Sequence, residues 1–219
     1  MENEIQKKFK ENRSEDVIWD KPSNDESTKI FILNAPPRAG KDSLAEYLHK
    51  ELGASKFSFK DKLFAIAFVT GNFTRDEWLN VWIPRYNTDA KDKPWDRIGG
   101  ISQRDYLIKI SEEWIKPHYG NDYFGNCLVN NINNQRCDIA VVSDGGFVDE
   151  IEPLFNKYGK ENVYIVQWSK KGCSFENDSR DYIDDYPDNI IKVGENVQDH
   201  FDVFAEKAKN KLSMYANYG

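Results

Sequence analysis

The sequence is poor in cysteine and histidine, and it has no long apolar run. Cys127, Cys137 and Cys173 are odd in number and scattered, so neither a disulfide framework nor a cysteine-based zinc site is indicated, and the thiols read as reduced. His49, His118 and His200 stand isolated, and none is assigned a catalytic role. No uninterrupted apolar segment reaches the roughly 20 residues needed to cross a bilayer. The opening residues Met-Glu-Asn-Glu-Ile-Gln-Lys-Lys lack the apolar stretch of a secretory signal. An excess of cations is also missing: the formal net charge is −7 and the mean hydropathy is −0.74. That balance argues against a nucleic-acid polymer or a membrane surface as partner, since both favour a basic face. A cytoplasmic, globular protein is the expectation, and 219 residues suffice for one sizeable domain with inserts.

What is present is organised around residues 29–48. Ile30 to Leu33 form an apolar run short enough for a strand buried on both faces. Leu44, Ala45 and Leu48 then recur at helical spacing and share a face that packs back on the strand. Between them lies a variant of the Walker A pattern, with Ala35 at the first glycine position, four residues, then Gly40-Lys41. In that pattern, backbone N–H groups at a helix N-terminus surround phosphates while the lysine ammonium reaches over them. Pro36 and Pro37 have no N–H, so the donors are expected from Arg38, Ala39, Gly40, Lys41, Asp42 and Ser43. Ala35 is tolerable only if its φ need not be positive. Asp42 stands where Ser or Thr usually binds Mg²⁺. A carboxylate beside phosphates needs a cation between them, which points to a metal-bridged site. The alternative reads Asp42 as complementing the helix dipole in an ordinary strand-to-helix turn.

The remaining chain alternates strands and helices, which implies an α/β fold with a parallel sheet covered on both faces. Residues 1–27 read as an appended extension, and residues 28–219 as the main domain. Strands are expected at 55–59, 139–142, 163–168 and 189–193. Helices are expected at 60–69, from 102 onward, and at 123–132, 147–158 and 197–212. A substrate-binding insert is expected over about 70–135, and its first part, 70–100, is irregular and aromatic. Its Trp82, Arg75, Arg85 and Arg97 suit a pocket in which aromatic faces stack a base and arginines hold its phosphate. A surface insertion packed by its own tryptophans fits the same residues. Asp144, at the carboxyl end of a buried strand, faces the crevice where ligands bind in parallel sheets, and is the candidate for holding Mg²⁺. Its alternative is a turn-forming Asp before two glycines. Segment 169–188, with Lys170, Lys171 and Arg180, reads either as a lid over phosphates or as a solvated loop.

The succession of Gly40-Lys41-Asp42-Ser43, Phe57-Ser58-Phe59-Lys60-Asp61-Lys62-Leu63, Ser102-Gln103-Arg104, Asp144 and Val193-Gly194-Glu195-Asn196 resembles the bacteriophage deoxynucleoside monophosphate kinases over roughly residues 29–215. The resemblance implies a P-loop NTPase-type kinase core that uses ATP and Mg²⁺ to phosphorylate a deoxynucleoside monophosphate, with a homodimer as a further implication. It places Lys41 and the Gly40–Ser43 backbone at the ATP phosphates. It also matches Lys62 and Arg104 to residues near the monophosphate, and Asp144 to the strand-end aspartate. Members of that family often carry an arginine shortly after this aspartate; here Gly145-Gly146-Phe147 stands instead. Arg180 or an insert arginine is then expected to supply the missing cation. A P-loop kinase of another small phosphorylated acceptor, or a nucleotide-binding module without transfer, remains the alternative.

Overall fold

The computed structural model describes residues 28–193 except 177 and 179. The extension expected over 1–27 and the helix expected over 197–212 lie outside the described residues. Strand β1, Lys29–Asn34, is buried at every position. Its side chains alternate between two cores, as a period of two requires. Phe31 and Leu33 pack with Leu44, Ala45 and Leu48 of helix α1, Lys41–Leu52. Ile30 and Ile32 point the other way, into a separate apolar cluster. Burying each such side chain is worth about 1.5–3 kcal/mol. Helix α1 ends at Gly53 in the left-handed region (φ 67°), where a side chain would be strained.

Strand β2 covers Ser55–Phe57, two residues shorter than expected. Phe59 already has helical backbone angles and leads into α2, Lys60–Thr70. Helix α3 is Gln103–Ile108, capped by Ser102, whose hydroxyl accepts from the Asp105 amide at 3.0 Å. Helix α4, Tyr123–Gln135, strand β3, Ile139–Val142, and helix α5, Val148–Tyr158, follow. Strands β4, Val163–Gln167, and β5, Ile190–Lys192, complete the sheet. Its order is β2-β3-β1-β4-β5, and every pairing is parallel. Helix α1 covers one face, while α4 and α5 cover the other through Leu128, Ile132, Ile151 and Leu154. The expected α/β architecture with a helical insert is therefore present. Among the described residues no helix is long and apolar enough to cross a membrane.

The insert has its own core. Trp82 is wholly buried among Phe73, Trp78, Trp95 and Tyr106. Its ring stacks on Trp78 with centroids 4.8 Å apart and planes 10° apart. Both residues belong to a π-helical turn, Trp78–Trp82, and a second such stretch, Lys109–Ile115, continues α3. Strands β1, β2, β3 and β4 all lead into segments that build the cleft described next, at the carboxyl edge where parallel sheets hold ligands.

Candidate active site

Between β1 and α1 the chain makes a tight turn in which the Ala39 amide donates to the Pro36 carbonyl at 3.2 Å. Arg38 adopts φ 65° and Gly40 φ 97°. Glycine is needed at position 40 for that angle, whereas Arg38 accepts a cost of about 1–2 kcal/mol. Ala35 has no positive φ, so its methyl group is compatible with the turn. The Trp168 indole N–H donates to the Ala39 carbonyl at 3.1 Å and pins the back of the loop. Expectation is corrected at one donor, because the Ala39 amide is consumed inside the turn. Leu44 is the first residue of α1 to bond back, to the Gly40 carbonyl at 3.0 Å. The amides of Arg38, Gly40, Lys41, Asp42 and Ser43 have no backbone acceptor among the described residues. Of the loop side chains, Arg38, Lys41 and Asp42 line the adjacent cleft, while Ser43 does not.

The Lys41 ammonium folds back over the loop, donating to the carbonyls of Ala35 at 2.5 Å and Pro36 at 2.8 Å. Burial, and then the charges of Arg180 and Lys60, bring its pKa down to about 8. An approaching anion opposes both by attracting the charged form. The ammonium is therefore positioned beside the free amides and gains from a phosphate that replaces its carbonyl partners.

Asp144 emerges from the end of β3 and is buried. Its carboxylate accepts from the Ser58 hydroxyl at 2.6 Å, the Phe59 amide at 2.9 Å and the Lys60 amide at 3.2 Å. The Lys60 ammonium stands 3.8 Å away. Both oxygens are thus occupied by donors from the turn after β2. Such a carboxylate suits Mg²⁺ through a bridging water, while Oδ1, with the Phe59 amide as its one donor, keeps a free lone pair. Asp42 differs: it is exposed, lines the cleft and has no hydrogen-bond partner among the described residues. Among the described residues, no group of three or more His, Cys, Asp or Glu is arranged to hold an ion. Any Mg²⁺ would therefore need phosphate oxygens to complete its shell, which is the usual arrangement for that ion.

The two glycines after Asp144 are explained by close approach. A Cβ on Gly145 would lie 2.2 Å from Ile32, and one on Gly146 would lie 2.6 Å from the Cγ and Cδ of Arg180. The stem of Arg180 thus crosses the place where residue 146 would carry a side chain. Its guanidinium is held by Asp178 through two bonds of 2.8 Å. Burial pushes the Asp178 carboxyl up, but the guanidinium outweighs it and holds the group at about 2. Two further cleft arginines are likewise paired: Arg38 with Asp89 at 3.0 Å and Arg104 with Asp92 at 2.6 Å. The first of these pairs is exposed and worth under about 1 kcal/mol.

Of the substrate residues expected in the insert, Arg104 lines the cleft, whereas Trp82, Arg75, Arg85 and Arg97 do not. Trp82 is wholly buried in the aromatic core. Arg85 donates to the carbonyls of Lys93 and Pro94 and lies 5.3 Å from the Trp95 ring. Arg97 is engaged by Glu77 and the carbonyls of Gly71 and Asn72, 4.4 Å from the Phe73 ring. Neither they nor Arg75 and Lys62 line the cleft. Arg85 and Arg97 thus pack over aromatic rings and bond local carbonyls, although Arg85 Nε and the Trp82 indole N–H are buried without a partner among the described residues. The segment 169–188, read from the sequence as a lid or a solvated loop, is tied to the sheet near its middle. Asn34 donates to the Asp181 carbonyl at 2.9 Å and accepts from the Ile183 amide at 3.0 Å, and Ile183 is buried against the sheet. Residues 181–183 are a strap tied to β1, while Gly172, Cys173 and Ser174 line the cleft mouth.

The cleft has a volume of about 940 Å³, lined by seven cationic and nine acidic side chains. A polyphosphate would meet a formal excess of two negative charges, so a divalent counter-ion is needed on charge grounds. One lining residue carried no signal in the sequence. Glu150, in the first turn of α5, is only 7 % exposed. Burial, and then the charge of Asp144, raise its pKa to about 7. Only its later position in a helix, six residues after Asp144, hinted at the cleft. No known protein family matches this chain, and no curated protein is significantly similar to it.

Proposed function

We propose that this protein is an ATP-dependent kinase that transfers a phosphoryl group to a (deoxy)nucleoside monophosphate. The observation that carries the reading is the set of unpartnered amides at Gly40 to Ser43, at the head of a 12-residue helix, beside the Lys41 ammonium. Such an arrangement suits the β- and γ-phosphates of a nucleoside triphosphate. Helix dipole and ammonium act together where charge accumulates. A phosphate oxygen of the acceptor attacks the γ-phosphorus while the bond to the β–γ bridging oxygen breaks, so no protein nucleophile is required. Arg104 and Arg180 are available to hold the transferring group once phosphate oxygens replace their aspartate partners. Asp42 would hold Mg²⁺ directly and Asp144 would hold it through water, and the ion would supply charge neutralisation between carboxylates and phosphates.

A coupled ADP-release assay across the deoxynucleoside monophosphates tests this. Lys41→Ala should lower turnover by about 10²- to 10³-fold with an unchanged melting temperature. Equal rates for the two proteins would end the proposal. The pairing of all three cleft arginines with aspartates favours a second reading, a module that binds ATP and does not transfer it. Tight ATP binding by calorimetry, without turnover on any acceptor, would select that reading.

A further inference from the structure

Glu150 is a buried carboxylate without a hydrogen-bond partner among the described residues. Its oxygens are not among the fully buried atoms left without a partner in the described residues, so they open onto the cleft that Glu150 lines, where a donor on a ligand can reach them. The charges that face it are Asp144, Lys116, Glu112 and Arg180. Two of them are committed elsewhere: Lys116 lies 2.7 Å from Glu112, and Arg180 is clamped by Asp178. Apolar and aromatic side chains, Leu63, Phe64, Phe124 and Phe147, form part of the wall of the same cleft, and the Phe147 ring lies 5.0 Å from the Lys116 ammonium that faces Glu150. Such a wall suits the face of a planar heterocycle, and a single acceptor set into it fixes orientation.

We propose that Glu150 reads the base of the acceptor, its carboxylate accepting a hydrogen bond from an N–H group on the heterocyclic ring or its amino substituent. This rests on the phosphoryl-transfer reading for the phosphate end of the acceptor. It adds what recognises the opposite end. Glu150 is a specificity residue on this account and touches neither transferring phosphate.

Calorimetric titration of the full chain separates the two claims. The four deoxynucleoside monophosphates, deoxyribose 5-phosphate and an unsubstituted-purine nucleoside monophosphate, whose ring carries no N–H, are titrated into wild type, Glu150→Gln and Glu150→Leu. ATP is titrated separately. The expected result is that the best monophosphate binds wild type at least tenfold more tightly than either control ligand. Affinity should fall in the order wild type, Gln, Leu, with ATP affinity unchanged within twofold. Glu150→Leu binding every monophosphate as wild type does would overturn the inference. Indifference of the wild type to the missing base N–H, or failure of any monophosphate to bind, would do the same. If ATP alone fails to bind, the kinase reading falls while the monophosphate comparison still reports on Glu150. Should Glu150→Leu not fold, the near-isosteric Gln variant decides.

Discussion

Lys41 couples the site to pH. Below about pH 8 its ammonium is charged in the free protein, and above it the charge is lost well before an ordinary lysine would lose it. A bound phosphate favours the charged form, so nucleotide binding above pH 8 should take up a proton. Affinity should weaken by about fivefold between pH 8 and pH 9, as the charged fraction falls from about a half to about a tenth. Calorimetry in two buffers of different ionisation enthalpy reads both effects. Glu150 works in the opposite range. Its carboxyl is raised to about 7, so the folded protein holds a proton that the unfolded chain releases near 4.5, and stability is lost as pH rises through that window. Glu150→Gln should therefore be more stable than wild type by about 3 kcal/mol at pH 8 and indistinguishable at pH 4. Urea titrations at the two pH values measure it. At position 146 the relevant quantity is space: Gly146→Ala places a methyl group inside the Arg180 stem. A cost of about 1–3 kcal/mol is expected, together with displacement of Arg180 from the cleft.

At the scale of elements, the turn after β1 and the turn after β2 are each tied to a strand end of the sheet. Asp144 at the end of β3 gathers Ser58, Phe59 and Lys60, so the entry to α2 is positioned by one carboxylate. Asn34 does the same for the strap. Its side chain is wholly buried and holds Asp181, Ile183 and Gln167. Asn34→Ala would leave the Ile183 amide and the Gln167 amide group short of an acceptor, at a cost of about 2–3 kcal/mol. Cleavage in limited proteolysis should then rise selectively between 170 and 185, and an unchanged digestion pattern would contradict the strap. The two π-helical turns of the insert set its aromatic side chains against one another, Trp78 on Trp82 in the first and Trp114 edge-on to Tyr106 in the second.

For the whole molecule, the decisive property is the charge balance of the cleft. With nine carboxylates against seven cations, ATP without a divalent ion meets net repulsion. Chelation with EDTA should weaken ATP binding by at least tenfold at low ionic strength, and less as added salt screens the carboxylates. Much of this architecture was legible beforehand. The period of two in β1 and the apolar spacing in α1 specify burial directly, and Gly40-Lys41 marks the turn between them. Strand β2 ended early because Phe59 starts the following helix, and the alternating pattern Ser55 to Phe59 does not distinguish those two backbones. Trp82, Arg85 and Arg97 illustrate the opposite limit, since one composition serves a pocket or a private aromatic core equally well.

What the sequence by itself determined is the order of strands and helices, the turn at Gly40 and the aspartate at the end of β3, because period, spacing and backbone permissiveness are local properties. Only the tertiary structure decided that Arg180 crosses Gly146, that Trp82 is sealed away and that Glu150 lines the cleft without a hydrogen-bond partner among the described residues. Those facts depend on which distant segments meet, and contact across a sheet edge is set by packing that no short stretch of chain encodes.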